Sequence, residues 1–159
     1  MLEIKRVNYD DHAQMDALIQ LLNGYACDPM GGGEPLNTES IQRLPEALKD
    51  CPTALSLIAY VDEQPAGLLN AFWSVSTFAA KRLINIHDIA VSPNFRGRGV
   101  ATALLAEIES IARELGCCKL TLEVLSGNQP AQRTYQKSGF AGYELDPAAG
   151  QALFWQKKL

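Results

Sequence analysis

Leu83-Ile84-Asn85-Ile86-His87-Asp88-Ile89-Ala90-Val91-Ser92-Pro93-Asn94-Phe95-Arg96-Gly97-Arg98-Gly99-Val100-Ala101-Thr102-Ala103-Leu104-Leu105 decides how this chain folds. From Leu83 to Val91 it is apolar and β-branched with period-two alternation, the pattern of a strand. Ser92-Pro93-Asn94 ends that strand, because proline has no N–H for a ladder and asparagine favours turns. After Gly99 the apolar period changes. Val100, Leu104, Ile108, Ile111 and Leu115 share one face of a helix of about four or five turns, and Gly116 is placed to stop it.

The turn between these elements carries the chemistry. Arg96-Gly97-Arg98-Gly99-Val100-Ala101 sets two glycines and two arginines at a helix N-terminus. There the first N–H groups lack helical partners and the macrodipole is positive. Glycine lets backbone approach an anion closely, and arginine adds charge-assisted contacts. Strand, glycine-rich turn and helix start together make a phosphate or pyrophosphate site. A P-loop would end in Gly-Lys-Ser/Thr, and Val100-Ala101-Thr102 has no lysine. A dinucleotide fingerprint would need a third glycine where Thr102 stands, although Glu123 is placed as its distal acidic residue. Ile89 to Ala101 matches a third pattern, apolar-x-Val-x-Pro-x-x-Arg-Gly-x-Gly-x-Gly/Ala. It resembles the acetyl-CoA-binding motif of the GCN5-related N-acetyltransferase (GNAT) superfamily.

A second stretch supports the first. Asn128-Gln129-Pro130-Ala131-Gln132-Arg133-Thr134-Tyr135-Gln136-Lys137-Ser138-Gly139-Phe140 begins with a cap, has proline in its first turn and ends at a glycine, so it reads as a short helix. Its pattern, Asn-x-x-Ala-x-x-x-Tyr-x-x-x-Gly-Phe, resembles the other signature of that superfamily. The resemblance covers nearly the whole chain, with its specific residues between positions 86 and 140.

The 159 residues predict one domain, residues 1–159, with a substantial core. Hydrophobic content of 47% and charged content of 20% are ordinary for a globular chain. A net charge of −4 argues against a general nucleic-acid binder. No apolar run is long enough to cross a membrane, and Met1 to Arg6 lacks a signal-peptide apolar region, so a cytoplasmic location is expected. Cys27, Cys51, Cys117 and Cys118 show no metal-binding spacing; Cys117 and Cys118 are read as structural, and no metal is expected.

Along the chain, Met1–Val7 reads as a strand. Asp10 or Asp11 caps a first helix whose buried face is Met15, Leu18, Ile19 and Leu22. Residues 23–37, with Gly31-Gly32-Gly33 between Pro29 and Pro35, read as a shaped loop that cannot continue a helix. Thr38–Asp50 reads as a second helix kinked or broken at Pro45. Ala54–Val61 and Pro65–Ser74 form a hairpin, Lys119–Val124 a further strand, and Tyr143–Leu145 with Ala152–Gln156 a closing strand pair.

The resemblance implies an α/β (α+β) domain. Its central mixed, mostly antiparallel twisted sheet would have about seven strands with about four helices, splayed at the cofactor site. It also implies acetyl-CoA as cofactor and transfer of the acetyl group to a primary amine of a small molecule, amino acid or peptide. Backbone at Ile89, Ala90 and Val91 would hold the pantetheine arm and polarise the carbonyl. Arg96, Gly97, Arg98, Gly99, Val100, Ala101 and Thr102 would hold the pyrophosphate. Asn128, Ala131 and Tyr135 would face the pantetheine and sulfur. Asp28, Met30, Gly32 and Glu34 in the loop, with Trp73 as pocket wall, would meet the amine. Tyr135 is the candidate general acid. Asp88 or His87 is the candidate base, and strand alternation turns these two to opposite faces, so that only one can serve. Family members often dimerise, which leaves a homodimer open. A non-catalytic acyl-CoA sensor is the alternative function; a nicotinamide-dependent enzyme is disfavoured by Thr102.

Overall fold

The computed structural model describes residues 1–159. Strand β1 (Leu2–Arg6) leads into helix α1 (His12–Cys27), capped by the Asp11 carboxylate on the N–H groups of Ala13 and Gln14. A 3₁₀ turn at Pro29–Gly31 precedes α2 (Thr38–Lys49). Strands β2 (Ala54–Val61), β3 (Gln64–Ser76) and β4 (Lys81–Val91) follow, then α3 (Val100–Glu114), β5 (Leu120–Leu122) and α4 (Gln129–Lys137). The sheet order is β1-β2-β3-β4-β5, antiparallel throughout except that β5 runs parallel to β4.

Both faces of the sheet are covered. Alternate residues of β2 and β3 (Leu55, Leu57 and Ala59; Leu69 and Ala71) pack with Ile84 and Ile86 against Val100, Leu104, Leu105 and Ile108 of α3. The opposite alternation, Ala54, Ile58 and Leu68, packs against Met15, Ala17 and Leu18 of α1 and Leu48 of α2. This is the period-two rule at work on two cores at once.

Three sequence expectations need correction. Helix α1 continues past Asn23 to Cys27, because its breaker is Asp28-Pro29 rather than the earlier polar residues. Helix α2 runs through Pro45 as one element, so of the kink or break expected there the break does not occur, and one ladder bond is given up. The closing strand pair over Tyr143–Leu145 and Ala152–Gln156 is not formed, so the sheet has five strands rather than about seven. Asp146 caps a 3₁₀ turn at Pro147–Ala149 instead, and β5, three residues long, offers little edge to pair with. Leu145, Leu153, Phe154 and Trp155 are left exposed.

Candidate functional site

The anion turn is built as its glycines require. Gly97 and Gly99 sit at φ 76° and 78°, a left-handed region that costs glycine little. Gly99 caps α3 without a side-chain hydrogen bond. As a result, the backbone N–H groups of Gly97 through Thr102 have no acceptor within the protein. Six free donors at the positive end of a 15-residue helix suit a pyrophosphate.

The turn is tied down by Arg96. Its Nη2 donates to Asp28 Oδ2 at 2.9 Å and its Nε to the Val91 carbonyl at 3.3 Å. Asp28 Oδ1 also accepts from the Met30 N–H. That N–H, and then the Arg96 guanidinium, hold the Asp28 carboxyl below its usual range. Arg98 turns away and lies over the Phe95 ring, 5.4 Å from its centre.

Strand β4 pairs with β5 only from Ile84 to Ile86, while it continues along β3 to Val91. Beyond Ile86 the sheet is splayed, as expected. A cavity of about 590 Å³ lies there. Ile89, Ala90, Val91, Arg96, Gly97, Gly99, Val100, Ala101, Thr102, Asn128, Ala131 and Tyr135 all line it, together with Asp28 and Met30. Arg98, Gly32, Glu34 and Trp73 do not line it, and neither do the candidate bases His87 and Asp88. Trp73 packs with the α3-side core under the Arg82 guanidinium at 4.5 Å.

The expectation about His87 and Asp88 is overturned by a β-bulge. Asn70 pairs with Asp88 and Ala71 with Ile86, so His87 is an extra residue on β4. The bulge breaks the alternation. His87 packs edge-on against the Phe72 ring, with centres 4.8 Å apart. Asp88 accepts from Asn70 Nδ2 at 3.0 Å. Because Asn70 and Phe72 are two apart on β3, His87 and Asp88 share the α1-side face. His87 is exposed and Asp88 half-buried.

Tyr135 projects from α4, whose cap is the Asn128 side chain accepting from the Ala131 N–H at 3.3 Å. Burial, with a smaller contribution from Tyr25, pushes its phenol up to about 12. Tyr25 is the residue sequence reasoning missed. It lines the cavity from the last turn of α1, and burial, then Asp88, then Asp28 push its phenol up. Its spacing of seven from Leu18, two turns along the buried face, was the available signal.

The model of the acetyltransferase (GNAT) family matches residues 18–140. Streptothricin acetyltransferase of Streptomyces lavendulae is 40% identical over 85 residues, covering 54% of this chain and 45% of that protein. Thialysine N-epsilon-acetyltransferase of Caenorhabditis elegans is 29% identical over 101 residues, covering 58% and 62%. The chain thus spans about half the length of these curated relatives. Among solved structures, AAC(6′)-Iy in complex with a bisubstrate analogue, CoA-S-monomethyl-acetylneamine, superposes with a TM-score of 0.77 at 21% identity, covering 100% of this chain and 99% of that one; it shares the fold. The match over residues 18–140 takes in the anion turn, the splayed strand and the Asn128–Tyr135 helix together, and the chain belongs to the acetyltransferase (GNAT) family.

Proposed function

We propose that this protein is an acetyl-CoA-dependent N-acetyltransferase that moves an acetyl group to a primary amine by direct attack in a ternary complex. The observation that carries this reading is one cavity that joins Gly97, Gly99, Val100, Ala101 and Thr102, five of the six residues with free N–H groups, to Tyr135 and Asn128 at the splayed end of β4. Acetyl-CoA supplies an activated acetyl carbon and a thiol leaving group. The N–H groups of the turn hold the pyrophosphate. The free edge of Ile89–Val91 binds the pantetheine arm and polarises the acetyl carbonyl. Holding both reactants in this geometry lowers the barrier by several kcal/mol, up to about 11 for ideally oriented groups.

Proton movement falls to Tyr135 and Asp88. The Tyr135 phenol, kept neutral by burial, hydrogen-bonds the sulfur as the C–S bond breaks. A thiol titrates near 8.5 and this phenol near 12, so outright transfer is uphill by about 5 kcal/mol. Tyr135 therefore acts as a donor whose proton is replaced by one from the attacking nitrogen. Asp88, reaching through Tyr25 or a water, accepts the proton the ammonium must lose before attack. His87, beside it on the same face, is the second candidate base. The acceptor is a small molecule, amino acid or peptide amine, met by Asp28 and Met30 at the α1–α2 loop. That relatives are named for streptothricin and thialysine supports a small-molecule amine.

The test is acetyl-CoA consumption with thiol release across lysine, thialysine, polyamines, streptothricin, aminoglycosides and peptides. Turnover with one class supports the reading and identifies the acceptor. CoA binding without turnover on any of them would favour the acyl-CoA sensor instead.

A further inference from the structure

We infer that Asn70 is a positioning residue for Asp88, held in one orientation by a hydrogen-bonded row that crosses the sheet from Tyr9 through Ser56. The inference rests on the reading of Asp88 as the base. Ser56 on β2 pairs directly with Asn70 on β3, and Asn70 with Asp88 on β4. The three side chains therefore stand in line across the α1-side face. Tyr9 Oη donates to Ser56 Oγ at 3.0 Å, Ser56 Oγ donates to Asn70 Oδ1 at 2.6 Å, and Asn70 Nδ2 donates to Asp88 Oδ2 at 3.0 Å.

Ser56 and Asn70 are 1% and 4% exposed and are the buried polar residues of the whole core. Their neighbours on that face are Ile58, Leu68, Met15 and Leu18. An apolar pair of similar shape would fold as well there, since a buried hydrogen bond returns little net stability. The row does settle direction. A carboxylate only accepts, so the Asn70 amide nitrogen must face Asp88 and its oxygen must face Ser56. Ser56 has one proton, which goes to that oxygen, and the Tyr9 phenol supplies the hydrogen bond Ser56 then lacks. Each group has one consistent role, and the amide cannot flip without breaking two bonds. Asp88 Oδ2 is thereby fixed, while Oδ1 takes no hydrogen bond from the protein and is left to accept the amine proton.

The experiment is a double-mutant cycle on kcat, using acetyl-CoA and whichever panel amine turns over fastest. Asp88→Asn should lower kcat by about a hundredfold or more. Asn70→Leu should lower it about tenfold with the KM for acetyl-CoA within about twofold, and Ser56→Ala about threefold. In the Asp88→Asn background both should add less than about twofold, because their effect passes through the carboxylate. If Asn70→Leu lowers kcat equally in both backgrounds, its role is structural and the inference is overturned. If Asp88→Asn lowers kcat and neither Asn70→Leu nor Ser56→Ala does, the inference fails while the base reading stands. If Asp88→Asn is without effect, or no amine turns over, the base reading itself falls and the inference with it. Should Asn70→Leu not fold, Ser56→Ala runs the same cycle. Side-chain amide NMR gives a readout free of turnover: the Asn70 Nδ2 protons should move upfield in Asp88→Ala, and an unmoved signal would refute the row.

Discussion

The Tyr135 phenol links stability to pH in a direction that follows from its environment. Unfolded, it titrates near 10; folded, it is pushed up to about 12 by burial. The native state therefore holds its proton more tightly. The stabilisation is fully present below pH 10 and is lost as pH rises through 12, by about 2 to 3 kcal/mol in all. In Tyr135→Phe, urea denaturation between pH 9 and 12 should show that part of the alkaline loss removed. The same variant should lose turnover by about a hundredfold while CoA affinity stays within about twofold. A second prediction concerns Arg96, whose guanidinium is shared with Asp28. Asn is as good a cap as Asp for the Pro29–Gly31 turn, so Asp28→Asn keeps the loop and releases the arginine toward the phosphate. Calorimetry should show CoA binding tightened by up to about fivefold, the limit set by an ion pair at the surface.

At the level of elements, the site depends on how closely α3 approaches the sheet. Gly67 on β3 lies beneath its first turn, and a Cβ there would come within 2.9 Å of both the Ala90 carbonyl and Val100 Cγ1. Gly67→Ala should push the N-terminus of α3 outward and destabilise the fold by about 1 to 3 kcal/mol. It should also weaken CoA binding, although residue 67 does not itself line the cavity; thermal melts and calorimetry on one sample test both. Elements with a strong local signature were legible in sequence. The change of period after Gly99 marked α3, and the Asn128 cap with Pro130 marked α4. Most of the cavity wall around the turn followed, because turn and helix start are contiguous in sequence. Tyr25 carried only its spacing from Leu18, and using that signal depends on where α1 ends, which Asn23 and Gly24 before Asp28-Pro29 disguised.

Over the whole molecule, what escaped the sequence was pairing. The alternation of Ala152–Gln156 is local, but a strand needs an edge, and β5 offers three residues. Trp155 is 82% exposed, whereas Trp73 packs against the core. Acrylamide should therefore quench one tryptophan of the two freely and the other weakly; protection of both would mean the tail finds a partner strand in solution. The opposed faces expected of His87 and Asp88 failed for the same reason, since a bulge belongs to a pair of strands. Its one local trace was the run Ile84, Ile86, Ile89, Val91, whose spacing jumps by three in the middle.

That jump has a consequence for engineering the protein. Counting along β4, even-numbered residues face α3 before His87 and odd-numbered ones after it, so the strand is two segments of opposite parity spliced by one residue. Removing His87 restores a single parity without moving any core side chain to the wrong side. The one-residue deletion should fold with a continuous, regular β4. What it should lose is the divergence from β5, whose pairing stops at Ile86, immediately before the splice. A deletion that keeps its circular dichroism and melting cooperativity but no longer binds CoA would show that the opening in this sheet is set by the length of one strand rather than by the residues lining the gap.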